Sequence, residues 1–445
     1  MSDLSAHAAA SKAKLARHTL YASGNFAKSC LGSFVELFAL FFLTDILKIP
    51  AAIAGMVLFV SLVWDGLIDP LMGLVADRLR HKFPTVRLYF LIGAPLTAIA
   101  FIALFHAYVI PRNYSVIYVF FALILFRSAY TIVDIPHNSL LSFLSRDSRD
   151  RTNIASLRIF FSAAGRLVVT LGATAMFEKT ALGALAQSFS TAAISFAAIY
   201  LVGLGVCLAS IWNVRIYQGG GERQSIRITS LFRGIMSNSQ LLIVFMLTAV
   251  TSLTTPVIGN AIIYYGKYGL GVEQTGATAL VVMSASQAAS LLFWSNFSNR
   301  LRRKKTASQC ANLLLAAAMA LAILILNSNQ TLYLIAALAG FAIGGIFMLN
   351  WSMLPDALDY GQALSSYHYN MSVFGLYTLT NKGFIGLSQV IVGSTLAAYG
   401  YQADSPVVSQ SIGAIVATLL AFPLLGALTC ALLLRGHTQV QNHRQ

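Results

Sequence analysis

The sequence predicts an all-α membrane protein of about twelve transmembrane helices, arranged as two pseudo-symmetric six-helix bundles. Three observations predict it. The 445 residues are 57% hydrophobic and only 10% charged, a balance that excludes an ordinary soluble domain. The apolar residues gather in about twelve runs, each close to the ~20 residues that a helix needs to cross hydrocarbon. The net charge of +15 sits mostly in alternate short loops between those runs. Charge placed in that way orients helices and attracts anionic lipid, so nucleic acid is not the expected partner.

The first six runs fall near 21–43, 52–74, 88–108, 115–140, 155–176 and 188–213. The second six fall near 241–265, 275–295, 308–326, 331–352, 371–397 and 409–434. Met1 to His18 is polar, with Lys12, Lys14 and Arg17, and has no signal-peptide apolar region. The first run is therefore expected to stay as a span. Arg78, Arg80, Lys82 and Arg87 follow the second run, and Arg146, Arg149 and Arg151 follow the fourth. Arg215, Arg223, Arg227 and Arg233 follow the sixth, and Arg300, Arg302, Arg303, Lys304 and Lys305 follow the eighth. The loops between them hold scattered charges such as Lys48, Arg112 and Lys179. The positive-inside rule then puts both termini in the cytoplasm of a plasma (inner) membrane protein.

Residues 1–213 read as the N-terminal bundle, 214–240 as a cytoplasmic central loop containing Gly219-Gly220-Gly221, and 241–445 as the C-terminal bundle. The blocks Gly73 to Lys82 and Trp294 to Lys305 form a weak internal repeat across the halves. Cys30, Cys207, Cys310 and Cys430 all lie in apolar runs, so no disulfide framework is implied.

Glu36, Asp65, Asp69 and Asp134 are the acidic residues well inside apolar runs. Asp65 and Asp69 are four apart and share one helix face. Two carboxylates that close in hydrocarbon call for a cation, a shared proton or a base. Asp134 lies in Tyr130-Thr131-Ile132-Val133-Asp134-Ile135-Pro136, with Thr131 on the same face. Pro136 cannot donate a backbone N–H, which leaves the Ile132 carbonyl without its usual partner. Carboxylate, hydroxyl and carbonyl oxygens suit a hard cation. Asp65, Asp69, Asp134 and Thr131 are thus the candidate cation site, the three carboxylates being metal ligands if the ion is Na+. Permanent neutralisation by Lys or Arg of a neighbouring helix is the competing reading.

The bases inside runs are Lys28, Arg127, Arg158, Arg166 and Lys382. Depth along the helices, at ~1.5 Å per residue, predicts that Glu36 and Arg127 meet as an ion pair or a substrate clamp. Asp77 with Arg78, and Asp356 with Asp359, are candidate gating residues at helix ends. His137 reads as a polar filler beside Asp134.

These residues sit in blocks that resemble the glycoside–pentoside–hexuronide:cation symporters (melibiose permease-like) of the major facilitator superfamily. The matching blocks are Gly24-Asn25-Phe26-Ala27-Lys28, Thr44-Asp45, Trp64-Asp65 with Asp69-Pro70-Leu71-Met72-Gly73, and Tyr130-Thr131 with Val133-Asp134-Ile135-Pro136. Others are Arg158 with Phe160-Phe161, Asp356-Ala357-Leu358-Asp359-Tyr360-Gly361 and Asn381-Lys382-Gly383. The resemblance implies the major facilitator fold and a cation site at Asp65, Asp69, Asp134 and Thr131. It also implies a sugar site with roles for Lys28, Asp134, Arg158 and Lys382. This chain departs from the family pattern on the substrate side. Ser29 stands in place of an Asp, Asn138 in place of a Trp, and Glu36 and Arg127 in place of uncharged residues.

The expected function is cation-coupled (Na+ or H+) symport of a sugar or glycoside, an anionic hexuronide included, by alternating access. A lysolipid or other small amphiphile is the alternative cargo, and a non-translocating sensor the reading from another class. No metal-enzyme spacing, phosphate loop or nucleophile motif occurs, so neither an enzyme nor a cofactor is expected beyond the coupling ion. The expected partners are a small-molecule substrate and membrane lipid, with a monomer as the working unit.

Overall fold

The computed structural model describes residues 2–79, 82–145, 147–178, 185–216, 228–270, 273–364, 370–399 and 406–436. The expectations at Arg80, Arg146, Lys179, Arg223, Arg227 and the Gly219–Gly221 stretch fall outside the described residues. The helices of the first half are α1 (Ser2–Phe41), α2 (Ala51–Leu79), α3 (Arg87–Phe105), α4 (Arg112–Leu144), α5 (Ser148–Glu178) and α6 (Leu185–Ile211). They are followed by α7 (Ile228–Ser237), α8 (Ser239–Tyr264), α9 (Glu273–Leu301), α10 (Lys304–Ile325), α11 (Asn329–Leu364), α12 (Asn370–Ala398) and α13 (Pro406–Leu433).

Ten helices among the described residues are long and apolar enough to cross a membrane. Of the long helices, α1 and α12 are not in that set. Their midsections carry polar side chains, Asn25, Lys28 and Glu36 in one and Asn381 and Lys382 in the other. The outward faces elsewhere are apolar: Leu324, Leu292 and Val202 are 79%, 72% and 69% exposed. Leucine and valine turned outward suit hydrocarbon, where burying them against protein gains little.

Three expectations are corrected. The first helix starts at Ser2, well before the apolar run at 21, because Ala-rich sequence sustains a helix without being hydrophobic. α11 likewise runs to Leu364, beyond the run ending at 352. Hydropathy marks the stretch that fits hydrocarbon, not the ends of the helix. The expected central loop, 214–240, contains α7. Apolar residues recur in that stretch of the sequence at helical spacing, and Ile235 is buried.

The chain divides into two compact units. Unit 1 is Met1–Arg146, Leu157–Arg227 and Tyr369–Leu376, and unit 2 is Asp147–Ser156, Ile228–His368 and Tyr377–Gln445. In unit 1, Phe34 of α1 packs on Phe101 and Phe105 of α3 and on Phe189 and Phe196 of α6, with ring centroids 4.8–6.3 Å apart. Those contacts fix the rotation of α1. Lys28, six residues earlier, is turned roughly 240° from Phe34, on a different face. In unit 2, Trp294 of α9 donates its Nε1–H to the Phe341 carbonyl of α11 at 2.7 Å, and Ser286 Oγ donates to the Ala337 carbonyl at 2.7 Å.

Candidate functional site

Two helices of unit 1, α2 and α4, meet along a ladder of polar rungs. Arg127 Nη1 lies 3.5 Å from Asp65 Oδ2, and Thr131 Oγ1 donates to Asp69 Oδ1 at 2.7 Å. Four residues separate the rungs on both helices, so α2 and α4 run parallel here and each presents a single i, i+4 edge. Trp64 Nε1 donates to Ser128 Oγ at 2.8 Å and locks the register beside them. Asp65, Asp69 and Thr131 are buried, at 2%, 0% and 0% exposed.

A second polar cluster joins α1, α4 and α5. Lys28 Nζ reaches Asp134 Oδ1 at 2.6 Å and Asn138 Oδ1 at 3.1 Å. Asn138 Nδ2 donates back to Asp134 Oδ2 at 2.9 Å, one turn along α4. Arg158 donates through Nη2 to Asn138 Oδ1 and through Nε to Asn25 Oδ1 at 3.1 Å. Asn25 Nδ2 donates to Ser162 Oγ at 3.1 Å, and Ser29 Oγ to the Ser162 carbonyl at 2.7 Å. Every strong donor here meets an oxygen, as burial demands. Pro136 is accommodated inside α4, which stays helical through Leu144 and so carries Thr131, Asp134 and Asn138 on one rigid element.

A model of the family described as MFS/sugar transport protein matches residues 20–436. The chain belongs to that family. YjmB, a symporter of Bacillus subtilis (strain 168), is 25% identical over 429 residues, which cover 94% of this chain and 90% of its own. The sodium-dependent lysophosphatidylcholine symporter 1 of Gallus gallus is 24% identical over 86% of this chain and 78% of its own. The structure of the major facilitator superfamily proton:xylose symporter XylE, bound to 6-bromo-6-deoxy-D-glucose, matches with a TM-score of 0.64 at 12% identity and covers 97% of each chain. A likeness at that identity shows the fold alone, and the fold is the one the sequence predicts. With ten helices among the described residues long and apolar enough to cross a membrane, the chain is an integral multi-pass transporter of the symporter type.

The transporter's predicted site residues are distributed as follows. Asp69 and Thr131 touch, whereas Asp65 faces Arg127 and Asp134 faces Lys28. Among the described residues no three His, Cys, Asp or Glu side chains converge to hold a metal ion. The expected Glu36–Arg127 pair is not the pairing found. Arg127 turns to Asp65, and Glu36 lies 3.5 Å from Arg166 with both side chains more than half exposed. α4 presents Arg127 to α2 rather than to α1. Lys382 is on α12 in unit 2, where its neighbour Asn381 accepts from Ser252 Oγ at 2.6 Å.

The helix-end residues of the transporter are tightly built. Asp77 accepts from the Ser372 N–H at 2.8 Å, Ser372 Oγ at 2.6 Å and the Met371 N–H at 3.3 Å, all within unit 1. It therefore satisfies two of the free donors at the N-terminus of α12 and meets the positive end of its dipole. Arg78 ends α2. In unit 2, Arg151 binds Asp356 at 2.9 Å and Asp359 at 2.7 Å, while Lys304 and Ser148 each reach Asp356 at 2.7 Å.

Sequence reasoning missed Tyr21, Ser128 and Ser162. Tyr21 stacks on His137 at 4.7 Å and donates its hydroxyl to the His137 carbonyl at 2.8 Å. Only tertiary placement reveals these partners. One signal was available: Ser128 neighbours Arg127 and, with Thr131, continues the polar edge of α4.

Proposed function

We propose that this transporter is a cation-coupled secondary symporter of a sugar or glycoside that works by alternating access. The buried network of Lys28, Asp134, Asn138 and Arg158 carries the reading. Carboxylate oxygens accept, ammonium and guanidinium donate, and the amide does both. A sugar hydroxyl donates and accepts, so it can exchange into such a network without leaving any buried group unsatisfied. Lys28 and Arg158 lie together in it and would also pair with the carboxylate of a hexuronide.

Asp134 is the link between cargo and ion. It is bound to Lys28 on one side, and on α4 it is three residues from Thr131, whose hydroxyl is bonded to Asp69. Asp69, Thr131, Asp134 and Asp65 then form the cation side, with Na+ or H+ as the coupling ion. A cation that reorders the Asp69–Thr131 rung shifts Asp134 through less than one turn of helix. Cargo must tighten the cation by the same factor that the cation tightens cargo. The driving force is the ion gradient. Both termini lie in the cytoplasm and the monomer is the working unit.

The match to a sugar-transport family supports this cargo. The name of the Gallus gallus relative supports a second, lysophosphatidylcholine-like cargo. The test is uptake by proteoliposomes of radiolabelled glycosides, hexuronides and a lysolipid, with Na+ and pH gradients imposed separately. Gradient-driven accumulation of a glycoside or hexuronide is expected, and its loss in Asp134→Asn. Accumulation of the lysolipid alone would replace the sugar reading. Absence of counterflow for every compound would leave a non-translocating sensor.

A further inference from the structure

The α2 carboxylates that a coupling Na+ would use already face a cation that belongs to the chain. Arg127 Nη1 lies 3.5 Å from Asp65 Oδ2, with Asp65 2% and Arg127 15% exposed at the side chain. Arg127 Nε is buried without a hydrogen-bond partner, so the guanidinium is held there by charge more than by a full set of bonds. The ladder geometry gives the pairing its register. The rung that places Thr131 on Asp69 also places Arg127 on Asp65, one turn away on both helices.

Charge balance points the same way. The named groups of the two clusters are Asp65, Asp69 and Asp134 on one side and Lys28, Arg127 and Arg158 on the other. At their formal charges, three acids meet three bases. A further Na+ would leave these groups with a net positive charge in a poorly solvated place, where an unbalanced charge is costly. Arginine is a permanent cation, so freeing Asp65 requires the Arg127 side chain to move. It is also tethered, and needs no recruitment from solution. Na+ must therefore either displace Arg127 from Asp65 or share the carboxylate with it against repulsion.

We propose that Arg127 is a built-in cation at Asp65 that takes the place of Na+, and that it makes this transporter indifferent to sodium. Arg127 is then a specificity-determining residue for the coupling ion. The inference rests on the symporter reading in that Asp65 and Asp69 belong to the ion side. It decides which ion that side accepts.

The test uses Na+ alone, without cargo, on the purified full-length protein in detergent. Thermal unfolding and 22Na+ binding are followed in NaCl and in equimolar choline chloride, which holds ionic strength constant. Wild type and Arg127→Lys should unfold identically in the two salts. Arg127→Ala and Arg127→Gln should gain a saturable Na+ stabilisation, with an affinity at least about tenfold above that of wild type. Adding Asp65→Asn to Arg127→Gln should remove it. Saturable Na+ stabilisation of wild type equal to that of Arg127→Gln would overturn the proposal. So would the lack of any Na+ response in every Arg127 variant that still unfolds cooperatively. The wild-type measurement stands even where a variant fails to fold. Because no cargo is present, failure to transport glycosides leaves this result untouched. Sodium-driven uptake by wild type would sink the proposal and leave the symporter reading in place.

Discussion

Asp134 and Lys28 decide the behaviour of the first-half cluster residue by residue. Their side chains are 13% and 5% exposed and 2.6 Å apart. Removing one member of such a pair strands the other, at a cost of about 3–5 kcal/mol. Lys28→Ala is therefore expected to lower the melting temperature sharply, and Lys28→Ala with Asp134→Asn to recover much of it. Neither should transport, since the double variant restores neutrality but not the donor–acceptor set. Recovery of uptake in the double variant, measured in proteoliposomes, would show the pair to be scaffolding. The same residues show what a linear sequence can convey. The i, i+4 spacing of Asp65 and Asp69 and the i, i+3 spacing of Thr131 and Asp134 were legible, because helical periodicity places them on faces without any tertiary knowledge. The partner of Arg127 was not legible. Depth in the membrane follows from counting residues, but which neighbour a helix face meets depends on how the helix is rotated, and Phe34 and Trp64 fix that rotation through contacts the sequence does not announce.

At the scale of elements, α2 and the start of α12 touch backbone to backbone. A Cβ on Gly73 would stand 2.6 Å from the Met371 carbonyl oxygen, and one on Gly375 would stand 2.5 Å from that of Asp69. Backbone cannot rotate away as a side chain can, so Gly73→Ala should cost about 1–3 kcal/mol. Gly55 lies on the same helix, where an added Cβ would meet nothing within 4 Å, and Gly55→Ala should be neutral or stabilising by up to about 1 kcal/mol. Melting curves of the two variants would settle the contrast, and equal losses would mean that helix packing here tolerates the extra carbon. Asp77→Ala should weaken the same junction by about 0.5–2 kcal/mol through loss of the cap on α12, with Asp77→Asn in between because its amide oxygen still accepts. Gly73 and Asp77 were both conspicuous in the sequence as part of a repeated helix-end block. The counterpart of Asp77 in unit 2 is Asn299, which donates to Asn153 Oδ1 at 2.8 Å. What the block does at each end, capping a helix in one unit and bonding an amide in the other, follows from which helix start lies opposite, and no local pattern encodes that.

For the whole molecule, the distribution of basic residues predicts which way the chain is threaded. The loop after α2 and the segment after α6 meet: Ile216 N–H donates to the Pro84 carbonyl at 2.8 Å, and the Arg87 guanidinium lies over the Trp212 ring at 4.4 Å. Arg78, Lys82, Arg87 and Arg215 thus crowd one end of unit 1. At the other end, His106 after α3 is 2.7 Å from Ser190 early in α6, and Arg112 at the start of α4 is the one Lys or Arg between Arg87 and Arg127. Lys and Arg resist export across a membrane that is negative inside, so the crowded end should be cytoplasmic. Pro84 and Pro111 are exposed and lie at opposite ends of α3, which makes them a matched pair of reporters. Of the four cysteines, Cys30, Cys207 and Cys430 are buried and Cys310 is partly accessible, so a Cys310→Ser background should be nearly silent to thiol reagents. A membrane-impermeant maleimide should then label Pro111→Cys in intact cells, and Pro84→Cys only after the membrane is opened. The reverse pattern would invert the assignment of both termini. Labelling of both positions from outside would mean that α3 does not cross, contradicting the even spacing of charge on which the orientation rests.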